Sequence, residues 1–132
     1  AMIALTALVH VTGLVSMVTW IKKRESNSSQ KMSYGFATRI FLASVLGVFL
    51  LHAIEILGWA ILYMLLGQFE SLERSLYFSV VTFTTVGYGD VTLHSHWQFL
   101  SGIEGMNGVV LLGVSTAFLF TILTHLFRET GR

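Results

Sequence analysis

The distribution of apolar residues divides the chain into three long hydrophobic runs that are separated by polar segments. The runs cover residues 2–21, 40–66 and 97–127. A helix needs about 20 mostly apolar residues to cross the hydrocarbon core of a bilayer, so each run is long enough to span it. The pattern therefore predicts an all-α membrane protein with three transmembrane helices.

The first run differs from a secretory signal peptide in the position of its charges. Lys22, Lys23 and Arg24 follow the apolar residues instead of preceding them, and no small-residue cleavage site is present. A signal peptide carries its positive charges in front of the apolar run. We therefore expect residues 1–21 to form a retained N-terminal transmembrane helix.

A fourth apolar segment lies between the second and third runs, at residues 76–83, and it is too short to cross a membrane. Ser71 is placed to cap a helix over residues 72–84, with Glu70 and Glu73 near its positive end. Such a segment needs non-helical backbone at membrane depth, which is tolerated only where protein surrounds it or water reaches it. The segment therefore predicts a re-entrant helix beside a cavity or a pore.

Composition agrees with a membrane protein and excludes several functions. Hydrophobic residues make up 54% of the 132 residues and charged residues 11%, with a formal net charge of +1. A typical globular protein is about one quarter charged. The weak charge excludes nucleic-acid binding, and the absence of cysteine excludes thiolate catalysis. Because no phosphate-binding loop or activated nucleophile is present, we expect no enzyme activity, no organic cofactor and no small-molecule substrate.

Lysine and arginine predict the orientation of the chain. Seven of the eight basic residues lie in the linker 22–39 or the tail 128–132, and Arg74 alone lies beside the re-entrant segment. Three crossings put the linker and the tail on one face, which the positive-inside rule makes cytoplasmic. We expect a multi-pass plasma-membrane protein whose N-terminus and re-entrant segment face outward.

Residues 84–90 read Thr-Thr-Val-Gly-Tyr-Gly-Asp and carry the most informative chemistry. Gly87 and Gly89, at alternate positions, allow backbone conformations that other residues resist. A backbone that alternates between left- and right-handed conformations turns successive carbonyls to the same side, and such neutral oxygens suit a dehydrated cation. One chain forms only one wall around an ion, so enclosing the ion requires a symmetric oligomer.

Residues 75–90, between two membrane helices, resemble the pore helix and selectivity filter of the tetrameric potassium channels. The resemblance divides residues 40–127 into an outer helix (40–66), a pore helix (72–84), a filter (85–90) and an inner helix (97–127). It implies a homotetramer in a lipid bilayer with K⁺ as the permeant ion. The alternative is a Gly-Tyr-Gly turn in an extracellular loop.

The resemblance also implies the roles of the filter residues. The carbonyls of Thr85, Val86, Gly87 and Tyr88, with the Thr85 hydroxyl, would bind dehydrated K⁺, and Gly89 would complete the outer mouth. The first run lies outside the two-helix pore and resembles the extra helix of small bacterial members of the ion-channel superfamily. The alternative functions are a non-conducting or regulatory channel subunit and a potassium transporter subunit.

Several neighbours of the filter differ from the pattern common in that family. Tyr77 and Phe78 stand where paired tryptophans often brace the filter, and Val81 stands where some relatives carry a buried glutamate. We hypothesise that the Tyr77 hydroxyl reaches Asp90 of a neighbouring strand. The residues predicted to support the filter are Thr84, Asp90, Tyr77, Val81, Glu104 and Asn107.

Glu104 and Asn107 lie three residues apart on one face of the third run. Ionisable groups inside membrane spans are functional candidates by default. We predict that both side chains form hydrogen bonds behind the pore helix and hold the filter. The alternative is a protonated glutamate whose role is structural.

The third run also contains candidates for gating. Gly102, Gly105, Gly108 and Gly113 are explained either by close helix packing or, at Gly108, by a gating hinge. Residues at fourfold spacing share a helical face. The predicted cavity-lining residues on that face are Leu112, Thr116 and Phe120, for which core packing against the outer helix is the alternative.

His10, His52 and Glu55 form a second group inside the membrane spans. With a rise of about 1.5 Å per residue, His10 and His52 lie at similar depth, and Glu55 is one turn from His52. One hypothesis is a pH sensor coupled to gating, because histidine titrates near neutral pH. The alternative is that these groups are polar contacts that dock the N-terminal helix.

Overall fold

The described part of the chain is helical and contains no strand. The computed structural model describes residues 1–26 and 33–130. In chain order, its helices are α1 (Met2–Ser26), α2 (Tyr34–Leu65), α3 (Leu72–Phe83) and α4 (Gln98–Thr130), with a short 3-10 turn at Ser95–Trp97. Three of these helices are long and apolar enough to cross a membrane, which confirms the predicted all-α membrane fold.

The long helices extend beyond the apolar runs that predicted them. α1 continues to Ser26, α2 begins at Tyr34, and α4 ends at Thr130. A helix satisfies its own backbone hydrogen bonds, and lysine and arginine are good helix formers, so the edge of the apolar run does not end it. The predicted linker 22–39 is therefore helical at both ends. Residues 27–32 of that linker and residues 131–132 of the predicted tail lie outside the described residues.

Local signals position the short helix α3 between the two long helices that flank it. Gly67 ends α2 with a φ of 67°, a conformation that favours glycine, and its N–H bonds to the Met64 carbonyl at 2.9 Å. Ser71 then caps α3, because its side-chain oxygen accepts a hydrogen bond from the Arg74 N–H at 3.3 Å. The sequence-based prediction of Ser71 as the N-cap is thus confirmed.

The four helices form one bundle in which α3 packs between α2 and α4, and α1 packs against both long neighbours. α1 and α4 run parallel and are joined in the same order along both helices. Thr6 bonds to Asn107 at 3.0 Å, His10 contacts Ser115 at 3.2 Å, and His125 contacts Glu25 at 3.0 Å. The added N-terminal helix is therefore attached along the length of the bundle.

Two clusters of buried apolar side chains hold opposite ends of the bundle. One cluster is aromatic and surrounds α3, with the Tyr63 and Phe78 rings edge to face at 5.1 Å. The other joins Ile21 of α1 and Ile40 of α2 to Ile122 and Leu126 of α4. Many other large apolar side chains remain exposed on the chain, as expected for surfaces that face lipid.

Gly108 lies at the closest approach of α4 to α3. α4 is continuous through this glycine, and a Cβ placed here would overlap the carbonyl oxygen of Phe83. By contrast, a Cβ at Gly113 or Gly102 would meet no other atom within 4 Å. Close packing accounts for Gly108, whereas it does not account for Gly102 or Gly113 within one chain.

We predict that Gly108→Ala lowers the free energy of unfolding by about 1–3 kcal/mol, because the added methyl group is forced against a backbone carbonyl. Denaturant unfolding of the purified protein in detergent measures this change. Gly113→Ala is the matched control and is expected to leave stability unchanged or slightly higher, because alanine favours the helix. Equal stability of the two variants would contradict the packing role of Gly108.

Candidate ion-conduction site

Two buried serines attach the re-entrant helix α3 to α2. The Ser75 hydroxyl donates to the Ala60 carbonyl at 2.6 Å, and the Ser79 hydroxyl lies 3.0 Å from the Ile56 carbonyl. Both serines are fully buried. These bonds to carbonyls of the neighbouring helix fix the direction of α3, so its C-terminal end meets the segment that begins at Thr84.

The backbone of residues 84–90 alternates in the way that the two glycines predict. φ is 61° at Thr85, 57° at Gly87 and 77° at Gly89, and it is not positive at the residues between them. Among the described residues, Thr85 is the only non-glycine with a positive φ. This alternation turns successive carbonyl oxygens toward one side of the segment, where they can act together as ligands for a cation.

Two backbone hydrogen bonds hold the start of this segment against the end of α3. The Thr85 N–H bonds to the Thr82 carbonyl at 3.0 Å, and the Gly87 N–H bonds to the Val81 carbonyl at 3.2 Å. A positive φ costs a residue with a Cβ about 1–2 kcal/mol. The local bonds offset part of this cost at Thr85.

The Tyr77 hydroxyl donates to Asp90 Oδ2 at 2.6 Å, so the hypothesised bond is present, and it lies within one chain. This bond joins the middle of α3 to the end of the 84–90 segment. The hydrogen bond to Asp90 raises the pKa of the Tyr77 phenol, with smaller contributions from desolvation and from the Asp90 charge. The phenol therefore remains a donor at neutral pH.

Glu104 of α4 connects all three helices behind α3. Its carboxyl group accepts from the Tyr63 hydroxyl at 2.6 Å and also forms a short hydrogen bond with Ser79. Ser79 has one hydrogen, which it cannot donate to both Ile56 and Glu104. All of these contacts are satisfied when Glu104 is protonated and donates to Ser79. This arrangement combines the two interpretations of Glu104, because a neutral carboxyl group both is structural and braces α3.

Asn107 does not share this cluster. Its Nδ2 donates to the Thr6 hydroxyl of α1 at 3.0 Å, so the predicted bond behind α3 is corrected to a contact with the N-terminal helix. The rotation of α4 explains the difference, because residues three apart lie about 60° away from each other around a helix. Glu104 faces α3, whereas Asn107 faces α1.

The remaining filter and cavity candidates occupy different environments. The Thr84 hydroxyl donates to the Val80 carbonyl at 2.6 Å, and Val81 is half-buried. On α4, Leu112 is half-buried against the aromatic cluster, whereas Thr116 and Phe120 are exposed. The three residues on this face of α4 therefore differ in exposure, from the packed Leu112 to the exposed Phe120.

His10, His52 and Glu55 are brought together in the middle of the bundle. His10 Nδ1 lies 2.8 Å from Glu55 Oε1, and His52 Nδ1 lies 2.9 Å from Glu55 Oε2. The hydroxyl of Ser115 lies 3.2 Å from His10 Nε2 and 3.0 Å from His52 Nε2. We call these four residues the buried ring. They connect α1, α2 and α4 in one closed hydrogen-bond cycle.

Ser115 and Thr6 were not singled out from the sequence. One signal for Ser115 is its spacing from Glu104, since residues eleven apart lie within about 20° of each other around a helix. Thr6 similarly lies one turn before His10. Single hydroxyl groups are common in apolar helices, so this signal becomes informative only once the facing helix is known.

Residues 49–125, more than half of the chain, match a protein-family model that is described as an ion channel. The chain belongs to this ion-channel family. The predicted resemblance to the potassium-channel pore family is therefore confirmed, and the membership points to a membrane channel rather than an enzyme.

This chain is similar to two potassium channels of Caenorhabditis elegans. It is 35% identical over 66 residues to the potassium voltage-gated channel protein shk-1, covering 49% of this chain and 12% of that protein. It is 27% identical over 117 residues to the TWiK family of potassium channels protein 18, covering 89% of this chain and 22% of that protein. The chain thus spans less than a quarter of either relative. No solved structure gave a significant match.

We predict that Glu104→Gln keeps the channel folded, because glutamine can donate to Ser79 and accept from Tyr63. Glu104→Leu leaves the Tyr63 hydroxyl without this partner, while Ser79 can still donate to the Ile56 carbonyl, and one unsatisfied buried group costs about 1–3 kcal/mol. Thermal unfolding in detergent measures the difference between the two variants. A leucine variant as stable as the glutamine variant would show that the cluster does not brace α3.

We predict that Tyr77→Phe destabilises the 84–90 segment, because it removes the bond to Asp90 and no other contact of the ring. The expected result is faster loss of current during sustained opening, measured in planar bilayers. Since the raised pKa keeps the phenol protonated above its ordinary value of about 10, the wild-type bond is present at lower pH and is lost as pH rises through the raised value. An unchanged rate of current loss in the variant would contradict this role.

Proposed function

We propose that four copies of this chain form a K⁺-selective channel that conducts passively down the electrochemical gradient. The observation that carries the proposal is the alternating positive φ at Thr85, Gly87 and Gly89 within the Thr-Val-Gly-Tyr-Gly sequence. The carbonyls of Thr85, Val86, Gly87 and Tyr88, with the Thr85 hydroxyl, would replace the hydration shell of K⁺, and Gly89 would complete the outer mouth.

The direction of α3 supports cation binding at this position. α3 ends at Phe83, directly before the 84–90 segment, so the negative end of its dipole is adjacent to the proposed ion path. The oxygens of the segment are neutral carbonyls, so they attract a cation without holding it with a full opposite charge. A site that binds an ion for transport must also release it.

The exposure of the segment supports a fourfold assembly. All residues from 84 to 90 are exposed on the single chain, and the Tyr88 side chain is 72% exposed. One chain therefore leaves the carbonyl ladder open on one side. A closed symmetric ring of chains would enclose the ion path and cover this surface.

The ends of the helices support the proposed orientation. The apolar cluster of Ile21, Ile40, Ile122 and Leu126 brings the end of α1, the start of α2 and the end of α4 to the same end of the bundle. The Glu25–His125 contact lies at this end as well. Lys22, Lys23, Arg24, Arg39 and Arg128 lie at this end, which the positive-inside rule makes cytoplasmic. The N-terminus and the filter would then face outward at the plasma membrane.

The names of the relatives support potassium as the permeant ion. Both C. elegans proteins are named as potassium channels, and each is similar to a part of this chain. In the proposed channel, residues 40–127 are the pore domain and residues 1–21 the additional helix. Thr116 and Phe120 line the cavity below the filter, together with Leu112, and Gly108 is a proposed hinge in addition to its packing against Phe83.

Flux out of loaded vesicles tests conduction and selectivity together. Purified protein in K⁺-loaded vesicles should give fast electrogenic flux down a K⁺ gradient, and an equal Na⁺ gradient should give none. A regulatory subunit would give no flux with either ion. Equal K⁺ and Na⁺ flux would contradict the proposed selectivity.

We predict that Gly87→Ala abolishes this flux through the backbone alone. A Cβ at Gly87 meets no atom of the chain within 4 Å, so the substitution acts through the φ of 57°. Alanine at positive φ costs about 1–2 kcal/mol, or about tenfold, in each of four chains. Gly35→Ala is the matched control, because its Cβ also meets nothing within 4 Å, and it should conduct like wild type. Normal flux in Gly87→Ala would exclude the carbonyl ladder as the ion path.

A further inference from the structure

The buried ring of His10, His52, Glu55 and Ser115 lies outside the proposed ion path and contains three titratable groups inside the bundle. His10 and Glu55 are fully buried, and the two imidazole rings have centroids 5.3 Å apart. The carboxylate contacts the Nδ1 atom of each ring, and the serine hydroxyl contacts the Nε2 atom of each ring. Every contact is of hydrogen-bond length, so the four residues form a closed cycle.

The number of hydrogens in this cycle follows from its geometry. Four hydrogen bonds need four hydrogens, and the Ser115 hydroxyl supplies one. Two neutral imidazole rings supply two more. The fourth is therefore an additional proton, carried either by one of the rings or by Glu55.

Both positions of the additional proton give the same net charge. Either Glu55 is a carboxylate beside one charged and one neutral imidazole, or Glu55 is a carboxylic acid between two neutral imidazoles. In each case the ring is neutral overall, which is the least costly state to bury. The hydrogen count and the charge balance thus lead independently to one additional proton.

We propose that the buried ring is a proton-binding site, in which one labile proton closes the hydrogen-bond cycle and fixes α1 against α2 and α4. Without this proton, two acceptors face each other and the ring carries a negative charge. With a second additional proton, two donors face each other and the ring carries a positive charge. Each change breaks one of the four bonds of the cycle, and two of these four bonds join α1 to its neighbours.

The surroundings of the ring supply no competing charge among the described residues. α3 contributes the Phe83 ring, whose centroid lies 5.8 Å from that of His52. Glu104, the other buried carboxyl group of α4, is bonded to Tyr63 and Ser79. The other buried polar contact between α1 and α4 joins Thr6 to Asn107, and neither side chain titrates. The pH response of the site therefore belongs to His10, His52 and Glu55.

The proton count predicts how the attachment of α1 depends on pH. Two histidine rings in contact with water hold one additional proton between them near about pH 6.5. At lower pH the two detached imidazoles bind more protons than they do within the buried ring, so attachment weakens as pH falls. At higher pH they bind fewer, so attachment weakens as pH rises. The equilibrium constant for attachment is largest near about pH 6.5. It falls by up to about tenfold per pH unit on either side.

Glu55→Gln is the variant that separates this proposal from a purely structural role. The glutamine oxygen accepts from one ring, and its NH₂ group donates to the other, while Ser115 closes the cycle. All four bonds are then made with two neutral histidines and no additional proton. The variant should fold with α1 attached and lose the weakening at alkaline pH, because its cycle holds no additional proton to release. At acid pH its attachment should still weaken, because the detached histidines bind protons there, so the profile rises to a plateau and has no maximum.

Two measurements on the purified protein in detergent test the site without requiring conduction. Nitrogen NMR of the histidine rings and infrared detection of the Glu55 carboxyl group together count the protons on the trio, and the expected total at pH 6.5 is three. Unfolding as a function of pH should give a maximum for wild type that is absent in Glu55→Gln. His125→Gln is the control, because its contact with Glu25 is exposed and outside the ring, and it should keep the maximum.

Several results would overturn the proposal. Two neutral rings beside a carboxylate, or two charged rings, would show that the proton count is wrong. The same pH profile in wild type and Glu55→Gln would show that the ring does not couple protons to the attachment of α1. A change of both ring signals on addition of ZnCl₂, reversed by EDTA, would assign the cluster to a metal ion instead.

Discussion

The structure depends on one constraint, which is that hydrocarbon offers no hydrogen-bond partner to polar groups. Buried serines bond to carbonyls of the next helix, and buried carboxyl groups bond to hydroxyls or imidazoles. Among the described residues, Trp59 Nε1 is the only fully enclosed side-chain nitrogen or oxygen without a partner. The carbonyls of residues 85–88 lie on the exposed segment, and in the proposed function the permeant ion completes their coordination. The lack of hydrogen-bond partners in hydrocarbon thus explains why the buried polar groups bond to each other. It also explains why the exposed carbonyls of residues 85–88 need an ion.

Features that depend on position along a helix could be predicted from the sequence. The length of each apolar run predicted the three membrane-spanning helices, and Ser71 predicted where α3 begins. A constant rise per residue placed His10 and His52 at one depth, and their rings lie 5.3 Å apart. The two glycines predicted the alternating backbone, although Thr85 also adopts a positive φ. The Tyr77–Asp90 bond could be predicted because both residues belong to the short region between two spans.

Features that depend on rotation about a helix axis could not be predicted. α2 and α4 are apolar on nearly all sides, so their sequences do not indicate which side faces a neighbour. Asn107 therefore contacts α1 instead of α3, and Ser115 joins a cluster that the sequence did not assign to it. The contact of Gly108 with the Phe83 carbonyl likewise depends on how closely two helices approach. Each of these contacts is specified jointly by two helices and by neither one alone.

The parallel course of α1 beside α4 places α1 over buried polar atoms of the two-helix module. Glu55, Asn107 and Ser115 all direct buried polar atoms at α1. A shortened chain that begins at α2 would expose a carboxyl group, a carboxamide and a hydroxyl to acyl chains. Hydrocarbon offers these groups no partner, so α1 acts as the cover that separates them from lipid.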